Sequence, residues 1–369
     1  MTREFEIGPI RPPSEAESLL LRITRNCPWN KCKFCYLYKK HKFSARPIEE
    51  IKADIDQVAK YRNSIRDGRM DSIYTLPEET RERYRYIMRW IASGEDSVFL
   101  QDADTMVLSF DKLREILAYL RKTLPWVKRV TTYGRAGSLN RFSAEQLVEL
   151  KEAGLDRIHS GFESGCDSVL TLINKGFSKT EEIEAGQKVK ASGIELSVYF
   201  MPGVGGKDLS ARNAVETADV VNRINPDFVR IRTFVAQKGT ERFEEINAGT
   251  ICECTDYEKM QELKTMIEHI NGADGYLFSD HIINLFEDVN GNMTEDKGRM
   301  LSIFKEFERL EEKERRQYQI ARRVGMIGSL SHMKMLNVEQ REQVETYRKA
   351  HEGAEEFEKL LSTLLQRYI

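Results

Sequence analysis

Residues 19–38 read LLLRITRNCPWNKCKFCYLY, and the fold turns on how this stretch is read. Leu19, Leu20, Leu21 and Ile23 make an apolar run of the kind that fills a buried strand, and Thr24-Arg25-Asn26 ends it. Cys27, Cys32 and Cys35 follow at once in a C-x4-C-x2-C spacing, which places three of the chain's six cysteines in one short loop. The pattern predicts a strand that delivers three thiols into a tight turn.

Working outward, Pro47-Ile-Glu-Glu-Ile opens a helix to about Arg62, with Ile48, Ile51, Ile55 and Val58 at helical spacing. Strands are predicted at 97–101, 128–134, 157–164, 194–203 and 228–236, each separated from the next by a helical segment. Ser143 with Gln146 three residues on has the spacing of a capping box. Strand and helix alternating about six times imply parallel βαβ units with right-handed crossovers, hence an α/β chain with a partial (β/α)6 TIM-type barrel. Residues 1–18, with Pro9, Pro12 and Pro13, read as an irregular arm, 19–240 as the core, and 63–94 as a helical insertion. Its aromatics Tyr74, Tyr84, Tyr86 and Trp90 suit either a cavity wall or the core. Residues 241–369 read as a mostly helical, charged region covering the barrel mouth, with a short seventh strand near 275–279. Runs such as Glu311-Glu-Lys-Glu-Arg-Arg are expected to form a solvated face.

The 369 residues suffice for one large domain with additions or for two of ordinary size. With 57 basic and 59 acidic residues and a pI near 6.4, the chain carries no global footprint for a polyanion. The N-terminus has no apolar signal-peptide core and no window reaches the length of a membrane span, so a cytoplasmic protein is expected. In a reducing compartment the cysteines are more suited to metals or catalysis than to disulfides.

Three readings of the cysteine loop compete. The thiols are structural core residues; or they join His41, in C-x4-C-x2-C-x5-H, as the ligands of a tetrahedral zinc; or they hold a 4Fe-4S cluster, in which three thiolates leave one iron open to a non-protein ligand. Cys252 and Cys254, with Cys166, are further candidates for a second cluster. Ser279-Asp280-His281, after the seventh strand, puts an acid/base-capable pair, Asp280 and His281, at the end of a strand where barrel chemistry gathers.

The loop, its place after the first strand and the βα rhythm resemble the radical S-adenosylmethionine superfamily over roughly residues 19–240. That family's common spacing is C-x3-C-x2-C, so this loop has one residue more. The resemblance implies that Cys27, Cys32 and Cys35 hold a 4Fe-4S cluster, that Phe34 is the aromatic often found before the last cysteine, and that the backbone near Tyr36 lies by the adenine. Gln101-Asp102-Ala103-Asp104 stands where the family meets the methionyl ammonium. The glycines are absent, but the carboxylate of Asp102 or Asp104 suits an ammonium. The segment 156–176, DRIHSGFESGCDSVLTLINKG, is similar to the branch that includes coproporphyrinogen dehydrogenases and methylthiotransferases. It implies Glu163 and Ser164 on the ribose side and Lys175 on the methionine carboxylate. Tyr199, Met201, Pro202 and Gly203 resemble the fifth-strand end beside the adenine, and Val235 to Thr240 the sixth. Tyr133 and Arg135 stand at the third-strand end, where Arg135 suits a ligand, a substrate or a salt bridge.

By the same resemblance the activity is reductive cleavage of S-adenosylmethionine to a 5′-deoxyadenosyl radical that takes hydrogen from a substrate, with the electron coming from a donor such as flavodoxin or ferredoxin. His281 is the first candidate for chemistry on the substrate. A small molecule is the default substrate ahead of peptide or RNA, and no cobalamin domain is expected before the first strand. Two other classes stay open: a non-catalytic cluster-binding relative in haem or iron-sulfur trafficking, and a zinc-stabilised binding module.

Overall fold

A computed structural model describes residues 4–69 and 75–368, so Tyr74 lies outside the described residues. In chain order the strands are β1 Leu19–Arg22, β2 Thr24–Arg25, β3 Ser44–Ala45, β4 Ser97–Gln101, β5 Arg129–Tyr133, β6 Arg157–Glu163, β7 Glu195–Phe200, β8 Phe228–Ile231, β9 Tyr276–Phe278 and β10 Gly291–Asn292. The helices are α1 Ile48–Arg66, α2 Glu78–Ala92, α3 Phe110–Thr123, α4 Ala136–Leu139, α5 Ala144–Glu152, α6 Asp167–Leu172, α7 Lys179–Ala191, α8 Ser210–Ile224, α9 Glu241–Asn247, α10 Asp256–His269, α11 Lys297–Arg309, α12 Glu312–Arg323, α13 Val338–Ala350 and α14 Ala354–Leu365. The chain divides into two compact units. The first holds residues up to Asn30, Tyr38–Ser160 and Glu184–Leu196; the second holds Lys31–Leu37, Gly161–Ile183 and residues from Ser197 on.

In the first unit β1 pairs parallel with β4, β4 with β5, and β5 with β6, in registers such as Leu20↔Phe99 and Val98↔Val130. Every residue of β4 is buried, as expected of a parallel strand covered on both faces. The predicted capping box is present: Ser143 Oγ accepts the Gln146 N–H and the Gln146 side chain accepts the Ser143 N–H. Helix α1 outruns its expected end at Arg62 and stops at Arg66. Three of the four aromatics named in the 63–94 stretch lie among the described residues and pack inward. Trp90 is buried and donates its Nε1–H to Ser97 O at 2.9 Å, Tyr86 Oη accepts the Leu20 N–H at 2.6 Å, and Tyr84 packs on Tyr61 with ring centroids 4.4 Å apart. The N-terminal arm is docked, with Arg22 N–H donating to Glu6 O and Gln101 Oε1 accepting the Gly8 N–H.

In the second unit β7 pairs parallel with β8 and β8 with β9, so the expected seventh strand exists. β10 adds an antiparallel edge to β9, which the sequence reading did not anticipate. Helix α10 carries a second capping box, Thr255 with Glu258. The charged C-terminal helices are held by aromatic packing: Phe286 stacks on Tyr318 at 5.4 Å and meets Phe304 edge-on at 5.7 Å. Not all of their charge is solvated. Arg322 and Arg323 at the end of α12 are buried, Arg323 Nε pairing with Asp256 Oδ2 at 2.8 Å and Arg322 donating to the carbonyls of Ile282 and Asn284. Helix C-terminal cations here bind the loop after β9 instead of water. Architecture and strand direction together make this an α/β fold with a parallel-strand sheet, of partial TIM-barrel type.

Candidate functional site

None of the six cysteines is in a disulfide. In the first unit, Cys27 is half-buried and its Sγ accepts the Asn30 N–H at 3.4 Å. Asn26 and Asn30 flank it with φ of 68° and 49°, left-handed values that Asn tolerates better than most residues. Asp102, fully buried at the end of β4, accepts from Arg22 at 2.7 Å, from the Asn26 N–H at 3.2 Å and from the Tyr38 hydroxyl. Burial and the Asp102 charge push the Tyr38 phenol far above its ordinary range, so it stays a donor. Gln101 spends its amide on the arm, at Gly8 and Ile10. Asp104 is buried on Ser138 Oγ at 2.6 Å and the Arg135 N–H at 3.2 Å, and burial pushes its carboxyl up to about 6. Arg135 lies over the Trp29 ring at 5.1 Å, and Tyr133 meets Phe99 edge-on at 5.0 Å.

In the second unit the segment carrying the other two thiols is tied down on both sides. Lys33 N–H donates to Ile173 O, Arg242 N–H donates to Lys33 O, and the Lys33 ammonium pairs with Glu245. Cys32 is buried and Cys35 half-buried, with Cys35 N–H donating to Cys32 O at 3.3 Å. Tyr36 is about half exposed. Glu163 ends β6 with φ of 71°, a conformation that a residue with a Cβ adopts only under constraint. Its carboxylate takes Lys175 at 2.9 Å, and the Lys175 ammonium lies over Phe34 at 5.6 Å and Phe177 at 5.7 Å. Gly165 follows because a Cβ there would sit 2.6 Å from Glu216 O on α8.

Ser164 is buried, donating to Asn213 Oδ1 and accepting the Cys166 N–H at 3.0 Å. Asn213 in turn donates to Glu262 at 2.7 Å, and burial pushes the Glu262 carboxyl up to about 7. The void beside Glu163, Met201, Asn213 and Glu262 is about 10 Å³, at most the room of one water. Met201 packs with Cys166, Val169, Val204 and Phe234, against which Phe34 also rests. Tyr199 is half-buried on β7 opposite Arg230 of β8. Val235 is buried with Ile283 and Leu365. Glu182 on α7 is fully buried, its carboxyl pushed well above the usual range by burial despite the nearby Lys175 charge.

Asp280 and His281 do not form the pair the sequence suggested. Asp280 contacts Arg230 at 3.5 Å, whereas His281 Nδ1 accepts the Ile283 N–H, which leaves the proton on Nε2. Burial, then the charges of Arg232 and Arg322, pull the imidazole down to about 4, so it is neutral at physiological pH. Of the second-cluster candidates, Cys166 is in the apolar cluster, Cys254 is buried with its thiol pushed up to about 12 by burial, and Cys252 is exposed. His41, the fourth ligand of the zinc reading, is exposed. Among the described residues no group of three or more His, Cys, Asp or Glu is already gathered as a metal site. The donor chemistry suits an iron-sulfur cluster: three thiols outside any disulfide on one short stretch of chain, one taking an amide hydrogen bond of the kind cluster sulfurs receive. Tyr38, Asn30, Trp29, Asn213, Glu262 and Glu182 received no role from the sequence. Only Arg22, a charge closing an apolar strand, left a visible signal there.

The candidate residues follow successive strands of a partial TIM-type α/β fold. Residues 21–218 match the Radical SAM superfamily, and the chain belongs to it. The family implies a 4Fe-4S cluster and S-adenosylmethionine. The chain is 28% identical over 103 residues to the tRNA uridine(34) acetyltransferase of Methanocaldococcus infernus, covering 28% of this chain and 19% of that protein. It is 26% identical over 111 residues to the tRNA-2-methylthio-N(6)-dimethylallyladenosine synthase of Syntrophus aciditrophicus, covering 30% and 24%. It thus spans about a fifth to a quarter of the length of the curated relatives it matches. Among solved structures, the archaeal Methanocaldococcus infernus Elp3 with an N-terminal deletion superposes with a TM-score of 0.44 at 16% identity, over 62% of this chain and 58% of that one. No helix among the described residues is long and apolar enough to cross a membrane.

Proposed function

We propose that the chain is a radical S-adenosylmethionine enzyme, an oxidoreductase or transferase, in which Cys27, Cys32 and Cys35 hold the cluster. The observation that carries this reading is the family match from Leu21 to Ala218, which contains all three cysteines of the loop and the Glu163–Lys175 segment. When bound, the cluster and S-adenosylmethionine supply one-electron cleavage and hydrogen-atom abstraction from substrate. The chain's own residues bind and orient. Lys175, nearly desolvated between two aromatic rings, offers a cation to the methionine carboxylate in exchange for Glu163. Glu163, freed of Lys175, offers its carboxylate to ribose hydroxyls. Ser164 is spoken for by Asn213 and so acts by fixing the turn. Neutral His281, with Nδ1 taken by the Ile283 N–H, presents Nε2–H to the substrate side as a hydrogen-bond donor.

The electron donor is proposed to be a flavodoxin or ferredoxin and the location cytoplasmic. A small-molecule substrate is the first reading, supported by the near-neutral charge balance that gives no polyanion footprint. RNA is the second, supported by the two relatives named for tRNA modification. The test is anaerobic iron-sulfide reconstitution of the full chain, reduction, and mass spectrometry for 5′-deoxyadenosine with a small-metabolite pool and with total tRNA. Stimulation by one pool assigns the substrate class. A colourless protein that takes zinc and no iron overturns the proposal in favour of the zinc-stabilised module, and iron without cleavage favours the trafficking relative.

A further inference from the structure

We propose that Asp102, Tyr38 and Asn30 form a clamp that sets the Cys27 thiol, so that Asp102 is a positioning residue for the cysteine loop and not a ligand partner. The inference rests on the reading of Cys27 as a cluster ligand. Asp102 has no solvent exposure, and its carboxylate is filled from both ends of the loop. The Asn26 N–H, one residue before Cys27, reaches Oδ2 at 3.2 Å; the Tyr38 hydroxyl, three residues after Cys35, reaches Oδ1; and Arg22 of β1 holds Oδ2 at 2.7 Å. The Asp102 N–H closes the link on Thr24 Oγ1 at 3.3 Å. Three of the carboxylate's roughly four acceptor positions are thus taken by groups of the loop and β1, and leaving any of these buried donors unpaired is costly.

Asn30 stands between the first two cysteines, where this loop exceeds the family spacing by one residue. In Cys27-Pro28-Trp29-Asn30-Lys31 the turn is closed by a left-handed residue, Asn30 at φ 49°, and the Asn30 N–H donates to Cys27 Sγ at 3.4 Å. The Asn30 side chain donates to Tyr38 O at 2.5 Å and to His41 O at 3.2 Å, so the turn is fastened to the same Tyr38 that Asp102 holds. An N–H on a cluster sulfur favours the reduced, more negative state and raises the reduction potential.

The test uses the full chain in two arms. In the iron-free protein, the alkylation rate of Cys27 by iodoacetamide is read by peptide mass spectrometry, with exposed Cys252 as the internal reference. Asp102→Asn and Tyr38→Phe each raise the Cys27 rate by about tenfold, the equivalent of one lost charge-assisted hydrogen bond, and leave Cys252 unchanged. In the reconstituted protein, Asn30→Ala, which loses the side-chain ties to Tyr38 and His41 and disfavours the left-handed turn, makes the midpoint potential more negative, and Asn30→Gly, which loses the ties but accepts the turn, shifts it less. If Asp102→Asn does not fold, Tyr38→Phe carries the first arm. Unchanged Cys27 rates in a wild-type protein that does take up iron, or equal potentials for the two Asn30 variants and wild type, overturn the clamp alone. Failure of the wild type to take up iron overturns the cluster reading beneath it.

Discussion

Replacing Lys175 by Met separates two roles that its geometry combines. The ammonium is almost fully buried, 2.9 Å from Glu163, and lies over Phe34 and Phe177, so the substitution keeps the stem's apolar packing while deleting the charge. If Lys175 receives the methionine carboxylate, the loss is one charge-assisted bond in a desolvated setting, about 2–3 kcal/mol. At about 1.4 kcal/mol per decade this is ~30–150-fold weaker binding of S-adenosylmethionine. If instead Lys175 only neutralises Glu163, the weakening comes from a stranded carboxylate, and adding Glu163→Gln restores affinity. Calorimetric titration of the reconstituted protein, in wild type, K175M, E163Q and the double variant, distinguishes the cases through the coupling energy. Binding of K175M at wild-type strength, or its rescue by E163Q, refutes the assignment.

Single Ala variants of Cys27, Cys32 and Cys35 are each expected to lose iron on reconstitution, while Cys252→Ala retains it; iron assay and visible absorption read the outcome, and unchanged iron in all three contradicts the cluster assignment. Arg323→Met strands Asp256 in the interior. In the wild type burial pulls that carboxyl upward, but the Arg323 charge and hydrogen bond more than offset it and hold it below the usual range. The expected loss is about 3–5 kcal/mol in urea unfolding, largely recovered by adding Asp256→Leu. His281 titrates near 4 in the folded chain against about 6.5 unfolded, so the unfolded state binds the extra proton between those values. Stability from this group is therefore full above about pH 6.5 and falls as the pH is lowered toward 4, by up to ~3 kcal/mol, a slope that His281→Gln removes from the pH dependence of unfolding.

What the sequence determined by itself follows from local rules. Apolar runs between amphipathic segments fix strands and helices one by one, which is why β1, β4, the Ser143 capping box and even the short β9 were legible. The three closely spaced cysteines announced a chemical loop, whereas the pairing of Lys175 with Glu163 appears only in the folded chain. The tertiary structure decided who partners whom. Asp102 reads as a free carboxylate because Arg22, Asn26 and Tyr38, all distant from it in sequence, are invisible to a window scan, yet in space they consume it. Asp280 and His281 are adjacent in sequence and look paired, but backbone geometry gives one to Arg230 and the other to Ile283. Arg322 and Arg323 sit in a highly charged helix that reads as solvated, and only the loop after β9 and Asp256 explain their burial. Within the cysteine loop, too, the left-handed φ of Asn30 and its amide on Cys27 Sγ are properties of the folded turn and not of the letters that spell it.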